Sequence, residues 1–260
     1  MARKWNSKEE KQKFAELRRL YVVENKTIGE VGRILGIAEQ TVFQRMRRLG
    51  IPSTPERKAT FLARKRSDII IPRYYTSNLA EFFGIMLGDG KLSHYQVVVT
   101  LGTKELLYVE YVVNLIGELF GVRPKIGIRK NGFRDIYLGS IELTGWLQKE
   151  GLVFNKVLSQ VDAPKWIFKK KEYLKRFLRG FFDTDGSVYK LRFGIQISFT
   201  NKAAPLLQSV RRALIMSGYH PSQISQYRTY LTRRSDVERF FHEIQPANVK
   251  HRERFRKFFI

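Results

Sequence analysis

Two stretches of this chain, ninety-six residues apart, share one unusual form. FFGIMLGDG (residues 82–90) and LRGFFDTDG (residues 178–186) are apolar helical runs that stop at Asp-Gly, with Gly84 over Gly180, Asp89 over Asp185 and Gly90 over Gly186. A run so apolar predicts a buried helix. Gly84 and Gly88 stand four apart, as do Gly180 and Thr184, so each helix carries a flat strip on which a second backbone can close. If the two helices pack on a pseudo-two-fold axis, Asp89 and Asp185 meet at its end, where the negative ends of both helix dipoles also point. An Asp-Gly pair closes many ordinary helices; two at repeat-equivalent places on buried helices ask for a joint use. The oxygens gathered there are the donors that hard divalent cations prefer.

The likeness runs beyond the two motifs. TLGTKELLYVEYVVNLIGELFGV (100–122) lies over SFTNKAAPLLQSVRRALIMSGYH (198–220), pairing Lys104 with Lys202 and Gly121 with Gly218, and YLGSIELTGWLQKEGLVFNK (137–156) lies over YLTRRSDVERFFHEIQPANVK (230–250). Residues 76–260 are therefore two divergent copies of a unit of about 95 residues. Each copy predicts the same order: a helix ending in Asp-Gly, a strand pair, a helix, a strand pair and a helix. Phe193, Ile195, Ile197 and Phe199 alternate with Arg192, Gln196, Ser198 and Thr200. Tyr95, Val97, Val99 and Leu101 alternate with Gln96, Val98 and Thr100, while Lys125 and Arg129 flank an inward Ile126 and Ile128. Asn131-Gly132 is a hairpin signal, and Gln226, Arg228, Tyr230 and Thr232 repeat the alternation in the second copy. These patterns predict antiparallel sheets with one apolar face under helices and one polar, basic face outward; such a sheet fits the major groove of a duplex.

Charge points the same way. Lys and Arg number 48 against 24 acids, a net charge of +24, and the excess is shared: +10 in residues 1–75 and +14 in the rest. A chain this basic is expected to meet a polyanion, nucleic acid before a membrane surface or a ribosome. A site that holds divalent cations beside a polyphosphate suits phosphodiester hydrolysis, because the metal activates water, polarises the phosphoryl oxygen and steadies the leaving oxygen. Cysteine is absent, which excludes disulfides and thiolate zinc sites. His94, His220, His242 and His251 have no ligand spacing. The first residues lack the apolar core of a secretory leader, and no apolar run reaches membrane-spanning length, so an intracellular protein of cytoplasm, nucleoid or an organelle is expected, with no membrane partner.

Residues 7–24 carry a helical pattern with Phe14, Leu17 and Tyr21 on one face, and Ser7 and Glu10 have capping-box spacing. Thr27 and Glu30 repeat that spacing before a short helix through Leu35, Gly36 supplies a turn, and a second helix spans roughly Ala38–Leu49. Its inner face holds Val42, Met46 and Leu49; its outer face holds Gln40, Thr41, Gln44, Arg45, Arg47 and Arg48. This resembles a helix-turn-helix DNA-binding module, whose second helix enters the major groove, where Gln and Arg match base edges. Residues 52–75, with three prolines and a basic run, read as a linker along phosphates or simply in solvent. The resulting division is 1–51 helix-turn-helix, 52–75 basic linker, and repeat units at 76–172 and 173–260.

The two nonapeptides resemble the LAGLIDADG motif of homing endonucleases, in the single-chain form with two motifs, and the resemblance covers about 185 residues. It implies an α+β fold of two pseudo-symmetric αββαββα units forming a saddle on double-stranded DNA. It also implies a monomer that cleaves both strands of a specific site across the minor groove, with Mg2+, two or more ions between the motif helices, leaving 3′ overhangs. Carried over by position, the catalytic, metal-binding acids are Asp89 and Asp185, with the backbone carbonyls of Gly88 and Thr184 also near metal. The sixth motif position is Asp183 in the second copy and Leu87 in the first, which touches only local hydrogen bonding. A lysine after the second strand pair matches Lys156 and Lys250, which follow their aspartates by 67 and 65 residues. The expected duplex contacts are Lys91, Gln96, Thr100, Lys125, Arg129, Tyr189, Arg192, Gln196, Ser198, Arg228 and Tyr230 on the sheets, beside Gln40, Thr41, Gln44, Arg45 and Arg48. The same resemblance offers a non-cleaving transcription regulator or an RNA-binding maturase. A retired site is free to lose its acids, and this chain keeps both. A chain that starts with Met, lacks cysteine and ends RFRKFFI has no self-splicing terminal chemistry, which points to an intron-encoded or free-standing enzyme.

Overall fold

Three short helices with one apolar side each make the N-terminal part. Helix α1 (Ser7–Arg18) widens into a π turn over Arg19–Val23 and is followed by α2 (Ile28–Leu35) and α3 (Glu39–Arg48). The structure is a computed structural model that describes residues 7–51 and 68–259, without the side chains of residues 7, 8, 10 and 11, in two units divided after residue 65 and described separately. The cap expected of Ser7 and Glu10 thus lies outside the described residues. Thr27 closes a full capping box: its hydroxyl accepts the Glu30 N–H at 3.2 Å, and the Glu30 carboxylate accepts the Thr27 N–H at 2.7 Å. Gly36, at φ 63°, ends α2 in the left-handed region and turns the chain into α3. Leu17, Leu20, Tyr21, Val31, Val42, Met46 and Ile51 form a small core of their own. Phe14 stays at its rim, 37% exposed. Gln40, Gln44, Arg47 and Arg48 face solvent, with Thr41 and Arg45 half-buried.

The second unit runs α4 (Ser77–Leu87), β1 (Gly90–Leu92), β2 (Gln96–Leu101), α5 (Leu106–Phe120), β3 (Lys125–Ile128), β4 (Arg134–Gly139) and α6 (Ile141–Lys149). The second repeat follows as α7 (Lys171–Asp185), β5 (Gly186–Leu191), β6 (Gly194–Thr200), α8 (Ala204–Met216), β7 (Arg228–Leu231), α9 (Arg234–Glu243) and α10 (Val249–Phe258). The fold is α+β with two antiparallel sheets, ordered β1-β2-β4-β3 and β5-β6-β7. Pairs such as Val97↔Leu138, Val99↔Ile136 and Ile197↔Leu231 bury their side chains under the helices. Lys91, Val98, Tyr137 and Lys125 line up across the opposite face of the first sheet, and Ser187, Ser198 and Tyr230 across that of the second.

Five expectations change. The second copy supplies one strand, β7, where a pair was predicted. Pro221 gives no ladder N–H, and Gln226 and Tyr227 take φ 47° and 61°, so residues 221–227 form an irregular segment joined to β7 by the Ser225↔Arg228 bridge and by the Ser222 N–H, which donates to the Tyr230 carbonyl at 2.8 Å. Ile126 and Ile128 share the core side of edge strand β3 but overhang the helices, at 43% and 70% exposure. Phe193 stands in the hairpin turn and not on the buried face, 89% exposed. The tail of the expected linker is part of this unit: Ile69 and Ile71 pack on the core, the Ile70 N–H donates to the Phe120 carbonyl at 2.9 Å, and Tyr75 stacks on Trp166 at 4.3 Å. Residues 52–67 lie outside the described residues. The boundary read at 172/173 falls in the first turn of α7, which begins at Lys171.

The centre of the unit is the crossing of α4 and α7, and its glycines decide how close the two come. A Cβ on Gly180 would stand 2.1 Å from the Glu81 carbonyl oxygen, and one on Gly84 2.4 Å from that of Phe177. The backbones touch, as the spacing of small residues predicts. At the exit, Gly90 and Gly186 let the chain reverse against Met86 and Phe182, where an added Cβ would stand 2.4 and 2.3 Å from their backbone atoms. The edge strands β1 and β5 therefore start directly at the two aspartates.

Candidate active site at the crossing of the motif helices

Asp89 and Asp185 leave the ends of α4 and α7 side by side. A Cβ on Gly88 would lie 2.0 Å from Thr184 Oγ1 and 3.5 Å from the Asp185 carboxyl carbon, so the last turns of the helices are in contact. Burial pushes the Asp185 carboxyl up to about 7, and the charge of Asp89 adds to the rise; the Asn201 amide, donating to Oδ2 at 2.7 Å, and Lys156 pull against it. Asp89 keeps a solvent-facing side. Its carboxyl is also raised, first by burial and then by Glu105, against the lowering charges of Lys250 and Lys156. Two crowded carboxylates facing one another are destabilised unless a cation joins them.

Both predicted lysines come to this place from different elements. Lys156, in the turn after α6, donates its ammonium to the carbonyls of Met86, at 3.2 Å, and Gly88. Burial lowers its pKa, while Asp185 and Asp89 hold it up. The Gly88 carbonyl, expected near metal, is thus met by an ammonium. Thr184 turns its hydroxyl back onto the carbonyls of Gly180 and Phe181, at 3.1 and 3.0 Å; its own carbonyl is in the last helical turn, where no intrahelical donor reaches. Lys250, at the start of α10, donates to Glu105 Oε1 at 2.6 Å.

Asp183 explains how Lys250 is held. It is 1% exposed, and its carboxylate accepts the N–H groups of Ala247 and Asn248 at 2.8 and 3.0 Å. Burial raises it to about 7, those two bonds opposing the rise. The sixth motif position therefore pins the loop that carries Lys250. Leu87, its counterpart, is fully buried in the core, and the Lys156 turn is held otherwise. Glu105, Asn201, Asn248 and Asp183 are partners that the sequence reading did not assign. A signal existed for two of them, since Glu105 and Asn201 each follow their aspartate by sixteen residues. Glu81 was missed as well: fully buried on α4, it meets Arg176 and Arg179 of α7 at 2.9 and 3.4 Å and accepts the Tyr111 hydroxyl at 2.5 Å.

The expected duplex contacts divide. Lys91, Lys125, Tyr189, Arg192 and Arg228 are exposed, and Gln96, Gln196 and Tyr230 half-exposed. Arg129 and Thr100 are tied to Asp135, at 2.7 Å each. Ser198 is a correction: it has no exposed surface, lying under the Tyr189 phenol that leans on Ser187 and Ser198. Arg254 of α10, unassigned by the sequence, acts on Tyr189 together with Arg228. Among the described residues no group of three or more His, Cys, Asp or Glu side chains could hold a metal, and no helix is long and apolar enough to cross a membrane. The oxygen-only donor set of Asp89, Asp185 and the helix-end carbonyls fits a hard divalent ion better than a transition metal.

Two helix-and-antiparallel-sheet repeats joined through glycine-lined motif helices, each ending in an aspartate, define the class. Residues 172–245 match the family described as LAGLIDADG-like domain, and the first repeat has the same architecture. The chain is 29% identical over 149 residues to the replication factor C small subunit of Methanocaldococcus jannaschii, covering 54% of this chain and 8% of that protein. It is 29% identical over 189 residues to the DNA polymerase of Thermococcus sp. strain GE8, covering 69% and 10%. The matched part is thus a tenth or less of each relative. The homing endonuclease I-WcaI bound to its DNA recognition sequence superimposes with a TM-score of 0.50 at 14% identity, over 70% of this chain and 88% of that one, which shows the common fold.

Proposed function

We propose that this protein is a sequence-specific double-strand DNA endonuclease. It acts as a monomer, uses Mg2+ or a similar divalent ion between the motif helices, and cuts across the minor groove to leave 3′ overhangs. One observation carries the reading: two carboxylates, one from each repeat, are held together at raised pKa beside two lysines, at the point from which two polar, basic sheet faces spread. A divalent ion bound there would supply an activated water and a Lewis acid for the phosphoryl oxygen. Asp89 and Asp185 would hold it, with Asn201 fixing the orientation of Asp185. Lys156 and Lys250 set cationic charge where negative charge develops on a phosphate. Lys91, Lys125, Arg192, Arg228, Gln96, Gln196, Tyr189 and Tyr230 meet the duplex on the sheets. Gln40, Gln44, Arg45 and Arg48 of α3 extend the recognised site through a second groove. A non-cleaving regulator or RNA maturase would use the same faces and leave the crowded carboxylate pair unexplained.

Asp89→Asn and Asp185→Asn test the reading. Each is expected to lower double-strand cleavage by roughly 100-fold or more while duplex affinity stays near the parent value. A doubly substituted protein that cuts at the parent rate with Mg2+ contradicts it.

A further inference from the structure

The two repeats differ in one way that reaches the reaction centre. Sixteen residues after each aspartate stand Glu105 and Asn201. Asn201 serves its own repeat, donating to Asp185 at 2.7 Å. Glu105 reaches across: Oε1 accepts the Lys250 ammonium at 2.6 Å and the Asn248 side-chain amide at 2.7 Å, both from the second repeat, while Oε2 is fixed by the Gly102 N–H at 2.6 Å. The Glu105 side chain is 13% exposed and Asn248 only 1%. Asn248 is also bound to Asp183, so the Lys250 segment is gripped from both repeats. Lys156 has no such acid; it rests on carbonyls of its own repeat.

The geometry points to a built-in asymmetry: Glu105 is a positioning residue that fixes Lys250 beside Asp89, so that the two strands of a bound duplex are cut at unequal rates and only the strand served by Asp89 depends on Glu105. The inference rests on the nuclease reading for its consequence, but the clamp itself does not. A pseudo-two-fold protein on a duplex gives one half to each strand, so the strands are told apart only where the halves differ. Here they differ in who orders the lysine. A long, flexible ammonium side chain acts on one phosphate only while something holds it in place. For Lys250 that holder comes from the opposite repeat.

The experiment has two readouts on the full chain. The first, without metal or DNA, is the side-chain 15N–1H signal of the Lys250 ammonium, assigned by its loss in Lys250→Arg. It should be present in the parent and in Glu105→Asp and absent in Glu105→Gln, with the Lys156 signal kept in all. The second is strand-resolved cleavage with Mg2+ on a duplex labelled on each strand in turn. Glu105→Gln should slow one strand about tenfold or more and leave the other within about twofold. Duplex affinity in EDTA should not change, and Glu105→Asp should restore part of the loss. An unchanged Lys250 signal in Glu105→Gln, or equal slowing of both strands, overturns the inference. A Lys250 signal that depends on Glu105 in a parent protein that cuts neither strand upholds the clamp and removes the nuclease reading instead.

Discussion

Gly180 and Gly117 are both helical glycines, and they should answer alanine in opposite ways. At Gly180 the added methyl meets the Glu81 carbonyl at 2.1 Å across the helix crossing. Backbone cannot step aside as a side chain can, so Gly180→Ala should cost about 3 kcal/mol or more. At Gly117 nothing lies within 4 Å, and alanine there should stabilise by up to about 1 kcal/mol. Calorimetry of the two variants checks both signs. Asp185 carries a pH prediction. Its carboxyl titrates near 7 in the fold against 3.8 unperturbed. The folded state therefore holds the proton more tightly, and stability falls as pH rises from about 4 to about 7, staying lower above that. Without metal, Asp185→Asn should melt above the parent at pH 8, the gap closing below pH 4. Added divalent ion should raise the melting temperature of the parent but not of the variant.

Much of each element was legible because periodicity survives without tertiary information. The alternation in β2 and β6, the capping box at Thr27 and the glycine strip on both motif helices all follow from residues a few places apart. What was not legible depends on neighbours far away in sequence. Ile126 and Ile128 alternate correctly, yet no helix reaches over edge strand β3 to bury them. Asp183 looked like a local variation until the fold brought Ala247 and Asn248 to it, 64 and 65 residues away. Helix α10 is another such case: its inner side packs His251 on Phe182 at 4.7 Å and Phe255 on Phe241 at 4.1 Å. Those contacts turn Lys250 toward Asp89 and Arg254, one turn on, toward Tyr189 on the polar face. If that face carries the duplex, Arg254→Gln should weaken binding of all sequences alike and reduce the slope of log affinity against log salt by about 0.9. A titration from low to high salt measures it, and an unchanged slope removes Arg254 from the contact.

At the scale of the whole chain, a net charge of +24 is shared by both units, which suits one polymer held in two places. Deleting residues 1–51 should therefore weaken binding and shorten the footprint while leaving the cut position where it was; an unchanged footprint would show that the first unit takes no part. The repeat gives the chain its two-fold logic, and Glu105, Asp183 and the missing fourth strand of the second sheet mark where the copies have parted. The most direct test of the central claim, that one acid from each repeat acts jointly on a duplex, is selection of cleaved molecules from a randomised duplex library. It should be run with Mg2+, with Ca2+ as the binding-only control, and with the Asp89→Asn/Asp185→Asn protein alongside. The account predicts one enriched site, cut on both strands with 3′ overhangs by the parent, and bound but left whole by the doubly substituted protein. No enriched cleavage by the parent, or the same cleavage by both proteins, would contradict it.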